Sequence, residues 1–156
     1  MKKFSLILNI LLLVIIGFGA YKFIFQVSIK ISYDGRTAIV LNLAEKDLIL
    51  AEMRTFLAST QQIVSAVSQD DLSLAITAAK KSGRAAQAEV PAALVGKLPM
   101  AFKKLGFDTH TKFDELAMDA NDMEDKEQTL KLLGELMQNC VACHSAYRLD
   151  LKASQK

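Results

Sequence analysis

DKEQTLKLLGELMQNCVACHSAYR, residues 125–148, opens with an acid suited to capping a helix and then sets Leu130, Leu133, Met137, Cys140, His144 and Tyr147 at spacings of three and four. That period describes one apolar face of a helix. Both cysteines of the 156-residue chain and one of its two histidines fall within Cys140–His144. A helix whose inward stripe ends in two thiols and an imidazole needs neighbours to cover the rest of the stripe, and the upstream sequence supplies them.

From Asn42 the chain is helical in period. Asn42 with Glu45 three residues on reads as a capping box, with Asn in the usual Ser or Thr position. Ile49, Met53, Phe56, Thr60, Ile63 and Val67 follow at alternating spacings of four and three, widened by Leu50, Leu57 and Val64. This first helix is expected to end near Ser68, with Asp70 or Asp71 capping a second. The second carries Leu72, Ala75, Ala79 and Ala86 on one side to about Glu89, its alanines allowing close approach. Pro91 and Pro99 bracket a connection. Phe102, Leu105, Phe113, Leu116, Ala120 and Met123 form a third stripe, with a break expected at Gly106-Phe107-Asp108. Four stripes joined by short turns predict an all-α antiparallel four-helix bundle over residues 44–156.

Two segments precede the bundle. MKKFSLILNILLLVIIGFGAYKFIFQ, residues 1–26, has two lysines and then an apolar run broken only by Ser5, Asn9 and Lys22. About 20 apolar residues cross a bilayer, whereas a signal-peptide core takes about 7–15. The stretch is therefore read as a transmembrane anchor, with a cleaved signal peptide as the alternative. No A-x-A triplet follows it, and Gly17-Phe18-Gly19 lies inside the apolar run. Lys2 and Lys3 place the N-terminus in the cytoplasm by the positive-inside rule. The remainder then lies outside the inner membrane, in the periplasm, whether anchored or released. In residues 27–43, Val27, Ile29, Ile31 and Tyr33 alternate with polar residues, Asp34-Gly35 intervenes, and Thr37, Ile39, Leu41 and Leu43 alternate again. An Asp-Gly pair between alternating runs predicts a β-hairpin. An isolated hairpin is marginal in water, so this one is expected to dock on something.

Composition narrows the classes of function. Helix formers dominate after residue 43. The net charge is +2, and the chain beyond residue 26 holds 16 bases against 17 acids without a basic cluster, which argues against a nucleic-acid partner. No acid–base constellation suggests an enzyme. The acidic residues Asp114, Glu115 and Asp119 to Asp125 read as solvated faces or caps.

Cys140-x-x-Cys143-His144 is the pattern of c-type haem attachment. Two thiols add across the two vinyl groups of haem as thioethers, and the following imidazole is placed for the iron. The alternatives are weaker on chemistry. A disulfide between cysteines three apart on a helix is strained. A redox Cys-x-x-Cys favours a βαβ setting, and a zinc site lacks a fourth nearby ligand, His110 being the only other histidine.

Cys140-x-x-Cys143-His144-x-x-Tyr147-Arg148 on the last helix of such a bundle resembles the class II c-type cytochromes, the cytochrome c′ family. The resemblance covers Ala44 to Leu149 and omits the anchor and hairpin. It implies one covalent haem c between the first and last bundle helices, with the distal face against the first. Low-spin relatives place a methionine there and transfer single electrons, and high-spin relatives leave an open site for NO or CO. Met53 is on the inward stripe of the first helix, where a low-spin relative has its ligand, and Met/His ligation raises haem potential. A methionine on an apolar stripe also serves simply as core filling. Met137 shares a helix with His144, and Met100, Met118 and Met123 belong to the third helix region. By resemblance, Tyr147 packs on haem and Arg148 belongs to the site, though a cation there also suits a helix end. Arg54 follows Met53 directly, whereas the family's propionate arginine precedes the distal residue by a turn, so that role does not transfer. His110 is expected at a helix start, as a surface or capping residue.

The sequence thus points to a membrane-anchored periplasmic electron carrier with a redox partner protein. The resemblance adds a possible homodimer. The alternatives are a gas-binding high-spin protein and a tethered assembly module whose hairpin makes the contact.

Overall fold

The computed structural model describes residues 2–25 and 27–153, without side chains for residues 2–5, 22–25 and 89. The segment 1–26 and the domain end at residue 156 extend beyond these described residues. Their order is helix α1 (Lys2–Phe25), strands β1 (Ile29–Ile31) and β2 (Thr37–Leu41), helices α2 (Leu43–Ser68) and α3 (Leu72–Lys80), and a 3₁₀ helix over Arg84–Glu89. Helices α4 (Ala92–Lys97), α5 (Met100–Met123) and α6 (Lys126–Ala146) follow, and strand β3 (Tyr147–Leu151) ends the fold.

The bundle consists of α2, α3, α5 and α6. Asn42 caps α2 as its sequence demands: Asn42 Oδ1 accepts from Glu45 N at 2.9 Å, and Glu45 Oε2 accepts from Asn42 N at 3.1 Å. Of the two candidate caps for α3 it is Asp71 that works, accepting from Leu74 N at 2.9 Å. Asp70 instead takes a left-handed conformation in the turn and pairs with Lys126 at the start of α6. Asp125 caps α6 through Glu127 N and Gln128 N. The bundle core gathers Ile63, Phe113, Leu116, Leu133 and Leu136 around the fully buried Ala75, Ala78 and Ala79 of α3. Each large side chain buried there contributes about 1.5–3 kcal/mol, and the alanines let α2 and α5 approach α3 closely.

Three local expectations are corrected. Helix α5 runs unbroken through Gly106-Phe107-Asp108, because its apolar stripe is buried on both sides of the glycine. Helix α3 stops at Lys80, and after a turn at residues 81–83 the segment Arg84–Glu89 winds as a 3₁₀ helix held to α5 by Asp114, which accepts from Arg84 N and Nε at 3.1 and 2.9 Å. Helix α6 ends at Ala146, so Tyr147 and Arg148 lie on β3 rather than on the helical stripe.

The hairpin forms as its alternation requires, with Ile29 opposite Ile39 and Gly35 at φ 81° in the turn. It is one part of a larger sheet. The order is β1-β2-β3, with β3 parallel to β2 and Thr37 registered on Tyr147. The inner face of β2, Ile39 and Leu41, packs on Ile49, Leu94, Leu98 and Phe102 to make a second core. The hairpin's docking surface is therefore the open end of the bundle, capped by the sheet.

Helix α1 meets the rest of the fold at α4. Every described side chain from Leu6 to Tyr21 is exposed, and none is charged. Among the described residues no helix is long and apolar enough to cross a membrane. The described side chains of α1 cover about 24 Å of helix against a hydrocarbon core of about 30 Å.

Candidate functional site

The two cores meet at the cysteine motif. Cys140 packs against the bundle core and Cys143 against the core beneath the sheet. Both are free thiols and half-buried. Burial raises the Cys140 pKa, and burial, aided by the neighbouring Cys140, pushes Cys143 up to about 11. Both thiols are therefore protonated at neutral pH, unlike low-pKa redox thiols. His144, next along the helix, is exposed.

A cavity of about 360 Å³ opens beside them. Its walls are Cys143 and His144 from α6, Lys46, Leu50 and Met53 from α2, and Phe102 from α5. Tyr147, Arg148 and Leu149 from β3 and Arg36 from the hairpin complete its lining, and it is open to solvent. The fold thus brings Met53, Cys143, His144, Tyr147 and Arg148 to one place, although Met53 and His144 are 91 residues apart. Cys140 is one turn back along α6 and is not part of this wall. The other described internal methionines, Met100, Met118, Met123 and Met137, are exposed. Met53 is half-buried against the second core. Arg54 is exposed and does not line the cavity.

The cavity has two characters. Leu50, Phe102, Tyr147 and Leu149 give an apolar surface, on which Phe102 and Tyr147 meet edge to face at 5.4 Å. Arg36, Lys46 and Arg148 give a cationic one, and among the described residues no carboxylate lines it. Arg148 is tied by Asp150 at 2.8 Å and Ser32 at 3.2 Å and lies over the Tyr33 ring. Lys46 forms no ion pair among the described residues. Arg36 and Lys46 were not legible as site residues in the sequence: one sits in a hairpin turn, the other on the first turn of a helix, and nothing local marks either.

This donor set suits haem c. Two thiols and an imidazole stand in attachment order, and a thioether shares the cavity with that imidazole. A flat apolar macrocycle matches the apolar walls, and its two carboxylates match the cations. The volume falls within the roughly 300–1,000 Å³ of ligand pockets.

His110 is corrected. It lies in the middle of α5 and is 3% exposed, and its ring packs edge-on to Phe56 at 4.9 Å. Nδ1 lies 2.8 Å from the Ser82 carbonyl and Nε2 lies 3.2 Å from Glu52 Oε1. Burial opposes its charge most strongly, but the bonds to Glu52 and to the Ser82 backbone outweigh it, and its pKa is raised above 6.5. It lines a separate cavity of about 470 Å³ between α2 and the 3₁₀ segment. Among the described residues, His, Cys, Asp and Glu form no group of three that could hold a metal ion, so the zinc alternative gains no further ligand from the fold.

No protein-family model, curated protein or solved structure matches this chain.

Proposed function

We propose that this chain is a membrane-tethered c-type cytochrome of the class II kind, passing single electrons to and from a redox partner protein. The observation that carries the reading is the cavity shared by Met53, Cys143 and His144. Cys140 and Cys143 would hold the haem covalently, and His144 and Met53 are the side chains that would bind its iron. Lys46, the cation that no described carboxylate engages, would hold a haem carboxylate, and Arg36 and Arg148, already tied to Asp34 and Asp150, would add positive charge nearby. Haem supplies one-electron exchange at its iron. The chain's part is to exclude water with Leu50, Phe102, Tyr147 and Leu149, and to bias the potential upward through the thioether and the nearby cations.

Helix α1 holds the domain to the bacterial inner membrane, with the bundle on the periplasmic side. This rests on the uncharged, exposed face of Leu6–Tyr21 and on the lysines before it.

The test is the optical spectrum of the chain produced with haem c maturation enzymes, oxidised and reduced, with and without CO. A low-spin spectrum indifferent to CO, turning high-spin and CO-sensitive in Met53→Ala, is expected. A high-spin parent that binds CO would make Met53 core filling and transfer the reading to gas binding. A parent without covalent haem would end it.

A further inference from the structure

We propose that Arg36, in the hairpin turn, is a positioning residue for His144, so that the small sheet sets the histidine end of the haem site. The proposal rests on the haem reading above and deepens it.

A helix leaves its last four carbonyls without partners. In α6 these belong to the turn that carries Cys143 and His144. Tyr147 N takes the Cys143 carbonyl. Arg36 Nη1 donates to the His144 carbonyl at 3.3 Å and to the Tyr147 carbonyl at 3.4 Å, across 108 and 111 residues of sequence. The end of the motif helix is thus closed from outside by a residue that no local signal connects with it.

The arginine is itself held. Its Nε and Nη2 donate to Asp34 Oδ2 at 2.9 and 2.7 Å, and its own N–H to Asp34 Oδ1 at 3.1 Å. Asp34 lies 3.5 Å from Arg148 Nη1 as well, so one carboxylate bridges the hairpin turn and β3. The sheet register makes the approach unavoidable. Thr37 pairs with Tyr147, which sets residue 36 beside the junction of α6 and β3. A two-stranded hairpin without β3 would have no reason to arrive there.

Two consequences follow for His144. The pinned turn restricts where its backbone, and hence its imidazole, can sit. The guanidinium also places a fixed positive charge at a helix C-terminus, where the dipole favours it, and on the wall of the cavity. A cation there disfavours the oxidised iron and raises the potential.

The experiment uses the full haem-loaded chain in detergent with Arg36→Met, Arg36→Lys and Asp34→Asn. Amide exchange at residues 143–147 and reduction potential are both measured. In Arg36→Met, exchange is expected to quicken roughly tenfold, in line with losing a charged hydrogen bond, and the potential to fall. Arg36→Lys keeps the charge and a donor and should recover most of the potential. Asp34→Asn leaves the arginine but loosens it, so exchange at residues 143–147 should quicken by less than in Arg36→Met, while loss of the carboxylate charge should raise the potential rather than lower it, a pair of readouts that stands even if Arg36→Met folds poorly. Parent-like protection and potential in Arg36→Met would overturn the proposal. So would faster exchange at an unchanged potential, which is a helix cap with no hold on the histidine. A parent without haem would remove the cytochrome reading and, with it, any role for Arg36 toward an axial histidine.

Discussion

At the scale of single residues, α2 divides its labour between neighbours. Met53 lines the cavity of the cysteine motif, and Glu52, one position earlier, lines the other cavity and receives His110. Adjacent helix residues point about 100° apart, so one helix serves both sites. His110 has a consequence for stability. Glu52 faces it from α2, and Lys80 and Lys81 share its cavity from the end of α3. Its folded-state pKa lies above the ordinary 6.5. Its contribution is therefore complete below pH 6.5 and lost as pH rises through the raised value. Denaturant midpoints should fall as pH rises above about 6.5, and His110→Gln should flatten that slope while costing about 1–3 kcal/mol at the acidic end. A slope unchanged by the substitution would assign the pH dependence to other groups. The sequence could not have placed this histidine. DTHT reads as polar, and only the packing of α2 and the Ser82 loop around it makes it interior.

Among elements, α5 shows how tertiary packing overrides local propensity. Gly106 interrupts nothing, and a Cβ built on it meets no atom within 4 Å. Gly106→Ala should therefore stabilise the fold by about 0.5–1 kcal/mol, through the unfolded chain's lost freedom and better helix propensity. Gly83 is the contrast. A Cβ there runs into the Asp114 carboxylate that holds Arg84, so Gly83→Ala should destabilise. Thermal melts of the two variants should shift in opposite directions, and a shared direction would contradict the packing argument. The capping box at Asn42 and the caps at Asp71 and Asp125 were readable because capping is a local matter of three residues. The end of α6 was not readable. Ser145-Ala146-Tyr147-Arg148 continues the helical period, and the chain leaves it because β2 offers a parallel partner for Tyr147–Leu151.

For the molecule as a whole, the features left unburied matter most. Helix α1 exposes sixteen consecutive uncharged residues while the rest of the chain builds two contiguous cores. Exposed apolar area of that extent marks a surface with a partner. If that partner is a bilayer, the full chain should float with phospholipid vesicles and a chain of residues 27–156 should remain in the aqueous fraction with its helicity intact. A full chain left in the aqueous fraction would remove lipid as the occupant. The sequence by itself determined the helical stripes, their caps, the hairpin turn and the spacing of Cys140, Cys143 and His144, because each is encoded within a few residues. Only the tertiary structure decided that Met53 shares a cavity with His144, that His110 is buried, and that β3 ties the hairpin to the end of the motif helix. Those facts depend on which surfaces find one another across about a hundred residues, and no local period carries that information.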